Sequence, residues 1–172
     1  LCGDREKTPA IKAGFYERAI ETFLSVGKID SKLLDINGES VFGALASLYR
    51  ESGDFEKARE WYEHARTVTP QNSYPVNNLG ILYYCKAGKT ETDRSKACEY
   101  FNESRRKANI RVREAGTYWA YFDLITAEAV LERVLSEEIK EHISRMLELQ
   151  PPENDLRKLK SALGKLCASS EA

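Results

Sequence analysis

From Glu39 to Asn109 the apolar and small residues recur at intervals of three and four, the spacing of helices with one buried face. Phe42, Leu45, Ala46 and Tyr49 line the first such face, and Gly53-Asp54 interrupts it as a turn. Phe55, Ala58, Tyr62 and Ala65 line the second, which Pro70 ends because proline cannot continue a helix. Antiparallel helices approach closely only where side chains are small. Ala46 and Ala58 are therefore expected at the contact, with aromatics filling the wider gaps. The scheme repeats at Val76, Leu79, Gly80 and Tyr83, then at Ala97, Phe101 and Ser104, across a longer turn at 88–93. Period-two alternation, the mark of a half-buried strand, is absent.

The flanks follow the same period less regularly. Thr8-Pro9 reads as a helix start, followed by Ile11, Phe15, Tyr16, Ala19, Ile20, Phe23 and Leu24 on one face. Gly27 to Gly38 is a long link whose Leu33, Leu34 and Ile36 are expected to fold back onto the core, with Ser40 capping the next helix. Beyond Asn109, Ala115, Tyr118, Trp119, Phe122, Leu124 and Ile125 form the most aromatic stretch, continued by Ala127, Val130, Leu131, Val134 and Leu135. Ser136-Glu137-Glu138 predicts a fresh helix start, with acid where the helix dipole favours it. That helix carries Ile139, Ile143, Met146 and Leu147 and stops at Pro151-Pro152. Asn154 is expected to cap a last helix bearing Leu156, Leu159, Leu163 and Leu166, before a disordered tail at 168–172.

Leu45-Ala46-x-x-Tyr49, Gly53-Asp54-Phe55, Ala58, Tyr62, Ala65 and Pro70 resemble a tetratricopeptide repeat, whose period is about 34 residues. Asn78-Leu79-Gly80-x-x-Tyr83 with Asp93-x-x-Lys96-Ala97-x-x-Tyr100-Phe101 resembles its longer-turned relative, the Sel1-like repeat, departing at Asn109 where a proline is usual. The resemblance implies an all-α fold, a right-handed superhelix of about seven helices. It is organised as one domain over 1–172: a clear tetratricopeptide unit at 39–72, a Sel1-like unit at 73–109, and divergent or capping helices at 9–38 and 110–167.

Composition narrows the chemistry. The chain has 172 residues, enough for a real core, and a net charge of −1 that draws it to neither nucleic acid nor an anionic membrane. No apolar run reaches the roughly 18 residues of a membrane span. Cys2, Cys85, Cys98 and Cys167 form no CxxC pair, and with only His64 and His142 no metal or cofactor is expected. Cys85 and Cys98 flank the turn of one repeat. A disulfide between them and a pair of small buried thiols are both compatible with that placement. Cys2 beside Gly3-Asp4 is similar to the start of a bacterial lipoprotein, which leaves a lipid anchor at Cys2 and an envelope or periplasmic location open beside a cytoplasmic one. Both histidines are expected on solvated faces, and Arg105-Arg106-Lys107 at a helix end. No phosphate loop, nucleophile elbow or His-x-x-x-His pair is present, so an enzyme is not expected.

The resemblance places a partner-binding groove on the first helices of the repeats: Ser47 and Arg50, then Tyr74, Asn77, Asn78, Ile81 and Tyr84, then Arg111 and Tyr118. Aromatics beside amide and guanidinium donors suit a protein or peptide partner. Chaperone-tail clamps need further basic and amide residues where Gly43, Ser47 and Ala115 stand, so that subclass is not expected. The leading expectation is an adaptor or scaffold; the alternative is a stoichiometric inhibitor or immunity protein of the bacterial envelope. The register itself is testable. Ala58→Arg combines overpacking with a buried unpaired charge and should destabilise the protein by several kcal/mol in denaturant unfolding; a stable variant would refute the register.

Overall fold

The computed structural model describes residues 4–86, 89–114, 116–132 and 136–170, with side chains over 14–168 of these. Eight helices are found among them and no strand, against about seven expected. The chain divides into two compact units, Leu1–Pro70 and Gln71–Ala172. The boundary falls at Pro70, which was expected to end the second helix of the first repeat, two residues before that repeat's expected end at Asn72.

The first unit contains α1 (Asp4–Ile29), α2 (Val41–Ser52) and α3 (Phe55–Val68), with α2 packed against both others. The first helix starts at Asp4, before the expected Thr8 cap. α2 and α3 form an antiparallel hairpin whose turn is two residues long. Gly53 takes the left-handed conformation at φ 92°, its N–H bonds the Arg50 carbonyl, and the Asp54 N–H reaches the Tyr49 carbonyl at 2.9 Å. Asp54 then accepts from the Lys57 N–H at 3.1 Å and caps α3. Leu45, Ala46, Ala58, Tyr62 and Ala65 are buried between the helices, as their spacing predicts. Ser40 caps α2 as expected, accepting from the Phe42 N–H at 3.0 Å.

The link before Ser40 behaves differently from its expectation. Asp35 Oδ1 accepts the N–H groups of Asn37 and Glu39, closing a short loop that leaves Ile36 fully exposed and Leu33 and Leu34 about half exposed. The loop satisfies its own backbone, so it does not need the core to hold it.

The second unit holds α4 (Tyr74–Tyr84), α5 (Glu91–Glu114), α6 (Tyr118–Glu132), α7 (Glu137–Glu148) and α8 (Glu153–Ser170). α6 is its centre, packing against α4, α5, α7 and α8. Thr90 and Asp93 form a reciprocal capping box at the start of α5: the Thr90 N–H and hydroxyl donate to Asp93 Oδ2, and the Asp93 N–H donates to Thr90 Oγ1. The Thr90 backbone N–H, then the Lys86 ammonium and the Thr90 hydroxyl, pull the Asp93 carboxyl down to about 2. This cap therefore contributes stability above the ordinary carboxylate range and loses it as pH falls towards 2.

With no proline at 109, α5 runs on to Glu114 and ends at Gly116, φ 57°. Arg105, Arg106 and Lys107 consequently lie inside the helix, and Arg111 and Arg113 occupy its last turn instead. Ser136 caps α7 as expected. The last helix begins at Glu153, so Asn154 lies inside its first turn instead of capping it; the Asp155 and Leu156 N–H groups bond the Pro152 carbonyl, and the helix continues to Ser170, through part of the expected tail. The expectations for Cys2, Ala115, Val134 and Leu135 lie outside the described residues.

Two buried clusters hold this unit: Ala97, Phe101, Ala127, Val130 and Leu166, and Ile125, Ile139, Met146 and Leu159. α4 and α5 touch closely at Gly80, where a Cβ would stand 3.0 Å from the fully buried Phe101 ring. Gly164, in α8, faces open space. Alanine favours a helix by about 1 kcal/mol over glycine. Gly164→Ala should therefore raise stability by up to that amount, whereas Gly80→Ala should lower it by about 1–2 kcal/mol net, because the buried Phe101 ring must shift to admit the methyl. Paired thermal melts read both signs.

Candidate functional site

The residues expected to form a groove are mostly engaged inside their own units. In the first unit Ser47 Oγ lies 2.9 Å from the Tyr62 hydroxyl and Arg50 is half-buried. In the second, Asn77 is only 1% exposed. Its Nδ2 donates to Asp123 Oδ1 at 3.0 Å and its Oδ1 accepts from Ser104 Oγ at 3.4 Å, so its amide is not displayed to a partner. Asn78 is also buried and donates to the Tyr74 carbonyl one turn back. Arg111 bonds Asn72 Oδ1 at 2.7 Å, and Tyr118 donates to Asp155 Oδ2 at 3.1 Å. Tyr74, Ile81 and Tyr84 are half-buried; the Tyr84 ring packs edge-on to Phe101 with Lys89 above it. Cys85 and Cys98 are free thiols, one half-buried and one exposed. His142 is not on a solvated face: its Nδ1 lies 2.9 Å from Glu128 Oε2.

The open surface with the most binding character is in the first unit, on the other side of α2. A groove of about 750 Å³ runs between Leu24, Gly27 and Lys28 of α1 and Lys57, Glu60, Trp61 and His64 of α3, floored by Phe42 and Tyr49. Antiparallel pairing brings Phe42 at the start of α2 to the end of α3. There its ring stacks on Trp61 at 5.3 Å and meets His64 edge-on at 4.3 Å, while Trp61 and His64 meet at 5.8 Å. Phe42 is buried, Trp61 half-buried and His64 exposed, so the three rings grade from core to solvent. The Lys57 ammonium stands 5.3 Å above the Tyr49 ring while paired with Asp54.

Comparison with known proteins adds no identity. No protein-family model matches the sequence, and no curated protein matches it.

Trp61 was not singled out by periodicity, because it lies off the buried stripe that Ala58, Tyr62 and Ala65 define. Its signal was an indole placed three residues from His64 on a face with no expected partner. A second residue without a signal in the spacing is Asp123, on α6. It is buried, accepting from Ser73 Oγ at 2.7 Å as well as from Asn77. Burial pushes its carboxyl up to about 7, against the opposing pull of Ser73, Arg111 and Asn77. The arrangement is a structural anchor, with no open space at Asp123 for a substrate.

The pH dependence follows from that carboxyl. Raised in the fold above its unfolded value of 3.8, it is protonated more readily when folded, so its contribution is greatest in acid and declines between about pH 4 and 7. Asp123→Asn should flatten this decline and be at least as stable as the wild type at neutral pH. Asp123→Leu, which leaves Ser73 and Asn77 without their acceptor, should cost about 2 kcal/mol or more. Denaturant unfolding across pH 4–8 measures both.

Proposed function

We propose that the protein is a non-catalytic protein-binding module, an adaptor or scaffold, built from tetratricopeptide-like and Sel1-like helical hairpins stacked as a right-handed superhelix. The α2–α3 hairpin with its two-residue turn and paired alanines supports the first repeat. The Gly80–Phe101 contact and the Thr90–Asp93 capping box support the second.

The observation that carries the binding reading is the aromatic groove of Phe42, Trp61, His64 and Tyr49 in the first unit. The same unit leaves Ile29, Leu33, Leu34 and Ile36 substantially exposed. The occupant that fits is a peptide segment of another protein, with a large apolar anchor side chain for the groove and an acidic residue beside it. Lys28 and Lys57 on the rim supply the complementary charge, and Glu60 on the same rim repels a second acidic residue. A half-buried tryptophan at the centre is the kind of residue that dominates such interfaces.

Selection from a random peptide library should enrich segments of this pattern. Trp61→Ala should weaken the selected peptides about tenfold or more while the protein stays folded, with a melting temperature lowered only by the lost stack on Phe42. Peptides that bind Trp61→Ala as tightly as the wild type would place the surface elsewhere.

A further inference from the structure

We propose that Glu128, Glu138 and His142 form a binding site for a divalent transition-metal ion, with Zn²⁺ the best fit, joining α6 to α7. Glu128 comes from α6, whereas Glu138 and His142 are one turn apart on the same face of α7. The ligand atoms of all three lie within 4.8 Å of one another.

The spacing is that of neighbours in one coordination shell. Two donors each about 2.1 Å from Zn²⁺ stand about 3.0 Å apart at a right angle and about 3.4 Å apart at the tetrahedral angle. His142 Nδ1 and Glu128 Oε2 are 2.9 Å apart. Glu138 is exposed and needs only a side-chain rotation to join them. One imidazole and two carboxylates suit a borderline ion such as Zn²⁺ better than Mg²⁺ or Ca²⁺, which prefer oxygen alone. Three protein donors leave a fourth position for water.

The charges around the cluster point the same way. The Glu128 side chain is only 3% exposed and is aimed into the cluster. Its Oε1, and both oxygens of Glu138, accept no hydrogen bond from any described residue. The neighbouring cations on α7 are committed elsewhere: Lys140 pairs with Glu137, and Arg145 reaches Glu141 and Glu148. A protonated His142 neutralises one carboxylate. A divalent ion neutralises two, and it takes the lone pairs that hydrogen bonding leaves unused. The Tyr121 ring packs beside the imidazole, 6.1 Å between centroids.

The test is titration of the chelator-stripped full chain with Zn²⁺ by calorimetry, and with Co²⁺ by absorption. The wild type should bind one ion at micromolar affinity or tighter, with a melting temperature that rises with Zn²⁺ concentration. The Co²⁺ complex should show no thiolate charge-transfer band. Glu138→Gln should lose at least tenfold in affinity while keeping the metal-free melting temperature, because that side chain is exposed; His142→Asn should lose as much. Absence of saturable binding, wild-type affinity in Glu138→Gln, or a thiolate band placing the ion on Cys85, Cys98 or Cys167 would each overturn the site. If His142→Asn fails to fold, Glu138→Gln decides alone.

Discussion

Taking a carboxylate out of water costs several kcal/mol unless donors replace the water, and the second unit is built around that demand at Asp123. α6 is packed by four other helices, so almost its whole circumference is interior. An acid on such a helix has nowhere polar to turn. Ser73 and Asn77 of the α4 end supply the hydrogen bonds, Ser104 of α5 holds Asn77 in position, and Arg111 supplies positive charge. Three helices are thereby held in one register. Hydrophobic contacts alone would tolerate small slips between them; a chain of directed bonds to a buried carboxyl does not.

How much of this was legible follows from the kind of physics involved. The α2–α3 hairpin could be read because every signal in it is local: small residues at the contact, Gly53 for a left-handed turn, Asp54 for a cap. The start of α7 at Ser136 was legible for the same reason. Asn77 was misjudged because its partner Asp123 is 46 residues away, and periodicity says nothing about a polar atom's distant neighbour. His142 was placed on a solvated face because its own helix offers it only Glu138 and Arg145; the deciding residue, Glu128, comes from α6. The end of α5 was set too early because the repeat pattern anticipates a proline, and without one nothing stops the helix before Gly116.

The loop before α2 shows the complementary failure. Leu33, Leu34 and Ile36 were expected inside because they are apolar. The loop that carries them is closed by Asp35 and by an isolated bridge between Leu34 and Ser40, so backbone bonds hold it without burial. Trp61 in turn is partly open because α1 packs on α2, covering Phe42 at Gly27, and not across it onto α3. What makes the first unit a binding candidate is thus surface that folding leaves unpaired, and no spacing rule reports an absence.

Ser73 sits at the position from which a hydroxyl would ordinarily cap α4, yet it caps nothing there. Its hydroxyl is bound to Asp123, 50 residues further along, while Asn72 Oδ1 takes the Tyr74 N–H and is itself held by Arg111. A cap made from neighbouring residues closes as soon as its helix does, on a sub-microsecond scale. This one closes only after the chain has delivered the far end of α5 and then α6, so it carries the loop-closure entropy of both. The consequence is one of timing: the start of α4 gains its bonds to Asp123 and Arg111 only once both partners, which follow it in the chain, have folded back to it.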